Sequence, residues 1–239
     1  MNNDRTIPEF DIAFQPIIDA ESGRIYSQEA IVRGKRGETA QTLLLSINPD
    51  LLVLADAAFR QEAIRIAGMA GLNTLLNLNV MPTTLENSEN AMKSTLETAE
   101  SYNVLPEQLI LQITESEIIV DTSIFAKRSD DLRQVGLKLA IDDFGAGYAG
   151  LNLLAEFQPE VVKLDTRLVR GIAGHGPRQA IVRGIARTCC DLGIEIIAEG
   201  IEVEEEYFWF LDEGITLFQG PLLARPSLGT LPQVFNLPK

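Results

Sequence analysis

Short apolar runs recur along the chain, most of them separated by longer stretches with helical spacing. Residues 10–18 (FDIAFQPII) and 25–32 (IYSQEAIV) read as two strands joined through Ser22 and Gly23, which predicts a hairpin. Leu51, Leu54, Ala58, Ala63, Ile66 and Ala67 recur at helical spacing; Asn48, Pro49 and Asp50 start that helix and Gly71 stops it. Residues 73–80 alternate, with Asn77 and Asn79 on one face of a strand and Leu76, Leu78 and Val80 on the other. A helix over about 88–103 precedes a strand at 108–114, in which Gln112 and Thr114 share a face. Asp121 and Thr122 are candidate caps for the next helix, which Gly136 ends before a strand at 137–141. A short helix, a strand at 160–165, a helix over about 177–192, the strand IEIIAEG, a helix at 203–212 and a last strand within ITLFQGPLLARP complete the pattern.

Strand and helix alternate, which argues for a parallel sheet, and about eight strands in this length argue for an α/β fold of the (β/α)8 TIM-like barrel type with a hairpin-like start. With 239 residues and 46% hydrophobic composition, residues 1–239 are expected to form a single domain with its core at about 10–226. No apolar run reaches the length of a membrane span and the polar start is unlike a signal peptide, so a soluble, unexported, cytoplasmic protein with no membrane partner is expected. Cys189 and Cys190 are adjacent within a helix and read as reduced thiols.

The net charge of −14 argues against DNA or other generic nucleic-acid binding, which needs a basic surface. His175 is the single histidine, which argues against histidine triads and zinc cages and favours a hard cation such as Mg²⁺, Mn²⁺ or Ca²⁺.

The candidate chemistry lies at the strand ends, where barrel enzymes place their active sites. In KLAIDDFGAGYAGL, Asp142 and Asp143 follow an apolar strand and precede a glycine-rich loop. Successive strand residues face opposite ways, so the two carboxylates converge only if the strand breaks at Asp143. About 4 Å apart they repel by roughly 4 kcal/mol at an effective dielectric near 20, a conflict that a divalent cation would remove. A strand-end turn with Asx-type caps accounts for the same residues without a metal. Glu29 and Arg33 share strand parity, as a site or as a salt-bridged surface strand; Asn79 donates inward or starts a turn. Lys163, mid-strand in EVVKLD and on the same side as Asp165, needs anionic neighbours if buried. Gln112, Glu199 and Gln219 also fall at strand ends, and Glu202 is placed to bond loop atoms.

Together, QPII, QEAIVRG, NLNV, LQITES, DDFGAGYAGL, VVKLD, IAEGIE and FQG, in this order over residues 10–226, resemble the EAL-domain family of cyclic di-GMP phosphodiesterases. The segments AFQPIID and DDFGAGYAGLNLLAEFQPEVVKLD are worded like EAL domains that accompany blue-light-sensing BLUF domains, although no BLUF or diguanylate cyclase pattern is expected within these residues. The resemblance implies hydrolysis of cyclic di-GMP to linear pGpG with Mg²⁺ or Mn²⁺, as two ions, and Ca²⁺ as a candidate inhibitor. It implies Glu29, Asn79, Gln112, Asp142 and Asp143 as metal-site positions, and Lys163 and Glu199 beside the attacking water, Glu199 as metal ligand or base. Gln15, Arg33, Asp165 and Gln219 match positions that hold the nucleotide or support the site, and Glu115 matches one that steadies the DDFG loop. A homodimer, and a sensor or regulatory protein acting in trans, are expected partners in bacterial signalling. EAI replaces EAL, a swap of similar volume. Gln112 stands where the family pattern EITE has a ligating Glu; it keeps an oxygen and loses the charge. The alternative expectation is therefore a catalytically degenerate cyclic di-GMP receptor or protein-interaction module. An unrelated barrel enzyme with Lys163 as base fits the fold but not the order of all the motifs.

Overall fold

The computed structural model describes residues 6–238 apart from 88, 116–118, 120–121 and 148–149. Its strands are β1 (Phe10–Asp19), β2 (Arg24–Gly34), β3 (Leu75–Asn79), β4 (Leu109–Thr114), β5 (Lys138–Phe144), β6 (Val161–Leu164), β7 (Glu195–Ala198), β8 (Leu217–Phe218) and β9 (Ser227–Leu228). From β2 to β8 each strand pairs in parallel with the next. β1 then closes the circle by pairing with both β8 and β2, so the first eight strands form a closed barrel. β1 runs antiparallel to both neighbours, because the tight turn at 20–23, with Gly23 at φ +64°, is far too short for a parallel crossover. β9 adds to β1 at Ala13 and Phe14.

Helices Leu52–Met69, Glu89–Ser101, Thr122–Gln134, Gly150–Phe157, Gly176–Leu192 and Glu204–Asp212 lie between successive strands. The first buries Ala55, Phe59, Ala63, Ile64 and Ala67 along one side, and Pro49–Leu51 ahead of it is a 3-10 turn rather than the start of the α-helix. The helix expected from residue 88 is Glu89–Ser101; residue 88 lies outside the described residues, as does the candidate cap Asp121. Helices Ala40–Ser46, Pro82–Asn87 and Thr166–Val169 had no signal in the apolar spacing, being too short for a periodic pattern. His175 is the N-cap of Gly176–Leu192, its Nδ1 accepting from the Arg178 amide. Among the described residues no single helix is long and apolar enough to cross a membrane; Ala40–Ser46 and Pro49–Met69 together reach that length only across a 115° bend.

Two apolar layers position the site. One fills the space between barrel and helices, from Leu76, Leu111, Leu139, Val162 and Phe218 outward to Ile64, Phe125, Val182 and Phe210. The other lies inside the barrel: Ile17, Ile110, Ala140, Val161, Ile197 and Leu217 pack together, with Leu75 against them. Strand residues two apart face the same way, so one step further toward the carboxyl ends the same inward parity presents Asn77, Gln112, Asp142, Lys163, Glu199 and Gln219. On β1, which runs the other way, the step from Ile17 leads back to Gln15. The apolar plug thus carries a polar layer above it, on the face where barrel enzymes do chemistry.

Candidate active site

Lys163 is the centre of that polar layer. Its side chain is 0% exposed, and Nζ lies 2.5 Å from Glu199 Oε1 and 3.1 Å from both Glu29 Oε1 and Asp142 Oδ1. A buried ammonium is costly unless paired, and three carboxylates meet it, as a buried mid-strand lysine requires. Burial favours the neutral amine, but the charges of Asp142, Glu199 and Glu29 outweigh it and hold the Lys163 pKa well above the ordinary value.

Glu29 accepts from Gln219 Nε2 at Oε2 (2.5 Å) and from Gln112 Nε2 at Oε1 (2.6 Å). Its burial opposes ionisation, yet Lys163 and those two amides prevail, leaving its carboxyl below the usual range. Gln219 Nε2 also reaches Gln15 Oε1 at 3.3 Å, and Gln15 Nε2 donates to the Ala224 carbonyl. Gln112 Nε2 has further oxygens within reach, Asp142 Oδ2 at 3.2 Å and Asn79 Oδ1 at 3.3 Å, while its own Oε1 accepts from Asn77 Nδ2 at 3.1 Å.

The strand break expected at Asp143 is present. Asp143 has φ +53°, a left-handed conformation that Asp shares with Asn more readily than most side chains, and the β5–β6 register shifts between Ile141 and Phe144. The break turns Asp143 toward Asp142, and carboxylate oxygens of Asp142, Asp143 and Glu199 lie within 4.8 Å of one another. Burial and then the charge of Asp142 push the Asp143 carboxyl up to about 6. Burial likewise raises Asp142 and carries Glu199 well above the carboxylate range, with Lys163 opposing in both cases. This crowding of carboxylates is the donor chemistry of a hard divalent cation, and the residues fit such an ion.

Asp143 supports a test on the metal-free protein. Its folded pKa exceeds the ordinary 3.8, so between about pH 4 and 6 the folded state holds the extra proton and stability falls as pH rises. A shift of this size corresponds to about 3 kcal/mol, and partial solvent access reduces it to on the order of half. Asp143→Asn, which suits the left-handed backbone, is expected to remove that fall. Melting curves in chelator from pH 4 to 7 check it; parallel profiles for the two proteins would contradict it.

The loop after β5 is held from β4: Glu115 Oε2 accepts from the amides of Gly145 (2.6 Å) and Gly147 (3.1 Å). Gly145 has φ +94°, and a Cβ there would lie 2.3 Å from Leu168 Cδ1, so glycine is required. Asp165 caps Thr166–Val169, its Oδ1 accepting from the amide and Nε of Arg167. Arg33 is not drawn into the cluster: its Nη1 donates to the Val32 carbonyl at 2.9 Å.

Glu202 bonds the side chain of Arg170, the turn residue that follows Thr166–Val169, at the surface. The backbone amides of this region are gathered by Glu206, nearly fully buried, which accepts from the amides of Gly171 (2.8 Å), Glu202 (3.0 Å) and Val203. The acidic run Glu204–Glu206 at the helix start was its only trace in the sequence. Arg60 was missed as well: buried, it pairs with Asp56 at 2.5 Å and reaches the Asn79 carbonyl at 3.4 Å, steadying the end of β3. The Asp–Arg spacing of four on one helix was the available signal.

A cavity of about 620 Å³ opens beside the carboxylates, lined by Leu44, Phe59, Arg60, Asn79, Asp142 and Asp143 among others. A concavity of about 680 Å³ around Tyr26 and Leu75 lies at the other end of the barrel, away from the chemistry.

Comparison with known proteins decides the family: the family model described as EAL domain matches residues 3–226. The chain belongs to the EAL-domain family. This EAL domain is 35% identical over 223 residues to the blue light- and temperature-regulated antirepressor BluF of Escherichia coli K12, covering 93% of the chain and 55% of that protein. It is 29% identical to the cyclic di-GMP phosphodiesterase PA2567 of Pseudomonas aeruginosa, covering 92% of the chain and 38% of the relative. The EAL domain thus spans about half the length, or less, of these curated relatives. Among solved structures it resembles Klebsiella pneumoniae BlrP1 in complex with calcium and cyclic di-GMP (36% identity, TM-score 0.89, 95% of this chain and 58% of that one). It also resembles a standalone EAL protein of Vibrio cholerae O395 in its c-di-GMP-bound form (36% identity, TM-score 0.90, 96% and 97%).

Proposed function

We propose that this EAL domain is a metal-dependent phosphodiesterase that hydrolyses cyclic di-GMP to linear pGpG. The observation that carries the reading is the convergence of Asp142, Asp143 and Glu199 beside the buried Lys163 at the carboxyl ends of the strands. Glu29, Asn79, Gln112, Asp142 and Asp143 would hold Mg²⁺ or Mn²⁺, as two ions. Such ions, when bound, lower the pKa of water and stabilise the attacking and leaving oxygens of an in-line displacement. Glu199 accepts the proton of the attacking water, and the Lys163 ammonium, 2.5 Å away, orients that carboxylate and favours its ionised form. The water oxygen bonds to phosphorus, one P–O ester bond breaks, and the released sugar oxygen takes a proton from solvent and leaves as a hydroxyl. Gln15, Arg33, Asp165 and Gln219 hold the nucleotide or support the site; Glu115 keeps the loop carrying Asp143 in place.

The same reading takes residues 1–239 as one EAL domain, supported by the single closed barrel. It includes a cytoplasmic location, a sensor or regulatory protein in trans, and a homodimer through the surface beside the β5 loop, where Leu151 is exposed. Chromatography of cyclic di-GMP incubated with the purified protein and Mg²⁺, Mn²⁺ or Ca²⁺ tests it. Formation of pGpG with Mg²⁺ or Mn²⁺ supports it; nucleotide binding without product favours a non-hydrolytic receptor. Two observations motivate that second reading: Gln112, and the 35%-identical relative described as an antirepressor.

Gln112→Glu separates the two. A carboxylate restores a full charge toward the cation, so the Mg²⁺ or Mn²⁺ concentration for half-maximal hydrolysis is expected to fall about tenfold, equivalent to about 1.4 kcal/mol. Without metal the variant loses the amide donor to Glu29 and Asp142 and sets like charges together, so it melts lower by about 4–8 °C. Superimposable metal titrations would remove Gln112 from the ligand set.

A further inference from the structure

The interior amide pair Asn77–Gln112 has no part in the reading above beyond Gln112 as a ligand. Both side chains are 0% exposed. Gln112 Nε2 lies 2.6–3.3 Å from oxygens of Glu29, Asn79 and Asp142, side chains from three other strands that the proposed function assigns to the metal. A carboxamide nitrogen carries positive hydrogens, and here it sits where a cation would meet those oxygens. Its orientation is held from behind, because Asn77 Nδ2 donates to Gln112 Oε1 at 3.1 Å. That bond is the one polar contact the buried Asn77 side chain makes among the described residues, since Asn77 Oδ1 is left without a partner. Strand parity explains the meeting: Asn77 and Gln112 are both inward-facing, on neighbouring strands β3 and β4.

We infer that Asn77 is a positioning residue that holds the Gln112 carboxamide across the metal position, so that a divalent cation must displace the Gln112 nitrogen to bind. The inference rests on the metal-dependent reading of the site. A Glu at 112 could present one oxygen to the ion while the other still accepted from Asn77, whereas Gln112 must break its bond to Asn77 to turn its oxygen outward. The pair therefore sets a lower metal affinity than the carboxylates alone would give.

The test is Mn²⁺ binding to the full chain without nucleotide, followed through the electron paramagnetic resonance signal of free Mn²⁺. It compares wild type, Asn77→Leu, Gln112→Glu and the double variant. Asn77→Leu removes a bond present only in the metal-free arrangement and is expected to tighten Mn²⁺ binding about three- to tenfold. In the Gln112→Glu background the same change removes a donor that supports the ionised carboxylate, so affinity stays the same or falls. A change of equal size and direction in both backgrounds overturns the inference and leaves the metal site standing. No Mn²⁺ binding by wild type overturns the metal reading and this inference with it. Should Asn77→Leu fail to fold, side-chain ¹⁵N amide spectra of the wild-type chain decide, with signals assigned through Asn77→Ser and Gln112→Glu. Saturating Mg²⁺ is expected to shift both amide groups in one titration, and an unmoved Gln112 signal overturns the proposal.

Discussion

Lys163→Met is expected to lower the melting temperature of the metal-free protein by on the order of 10 °C, and to cut turnover of cyclic di-GMP at least about a hundredfold. The lysine is fully buried and is the cation that faces Glu29, Asp142 and Glu199 together. Methionine fills much of the same volume but leaves buried carboxylates uncompensated, a change that costs about 3–5 kcal/mol when one partner of a buried pair is removed. The sign with pH follows from the raised Lys163 pKa: its contribution is fully present below the ordinary lysine value and is lost only in strong alkali. The contribution also needs an ionised partner, and Glu29, whose carboxyl Lys163 helps to hold below the usual range, takes up its proton in acid, so the difference between wild type and variant narrows there. Added Mg²⁺ is expected to restore part of the lost melting temperature, because a divalent cation supplies the missing charge. Nucleotide affinity, measured calorimetrically with Ca²⁺, should change much less than turnover. Equal loss of binding and turnover would assign Lys163 a structural role alone.

Glu29→Gln and Asp142→Asn are each expected to reduce hydrolysis on the order of a thousandfold while lowering the melting temperature by only a few degrees. Both substitutions keep the shape and the position on the strand. Each removes a charge from the proposed cation site and turns one acceptor into a donor. For Glu29 the structural cost is visible, since both carboxylate oxygens accept from donors and an amide at this position would face one of them. That misfit amounts to about 1–3 kcal/mol, below the roughly 4 kcal/mol that a thousandfold loss of rate represents. Turnover assays beside calorimetric melting give the comparison. Near-wild-type turnover in either variant would remove that residue from the catalytic apparatus.

The barrel and most of its polar layer were legible in the sequence because both follow from period. Inward parity on β4 to β8 is set by the same alternation that buries Ile110, Ala140, Val161, Ile197 and Leu217, and it carries Gln112, Asp142, Lys163, Glu199 and Gln219 one step above them. A lysine inside an otherwise apolar strand announced that anions would meet it, and adjacent aspartates before a glycine loop announced the break at Asp143. What only the tertiary structure decided is which polar groups face one another across the barrel. Gln112 could present either its oxygen or its nitrogen to Glu29; the choice depends on Asn77, a residue 35 positions away that strand pairing brings alongside. Glu206 gathers the loop amides because backbone geometry around Gly171 and Val203, absent from any local pattern, points three donors at one buried carboxylate. Arg33 shares strand parity with Glu29 yet bonds the Val32 carbonyl instead of the cluster. Alternation assigns a side, whereas contact depends on distance along the strand and on what packs above it.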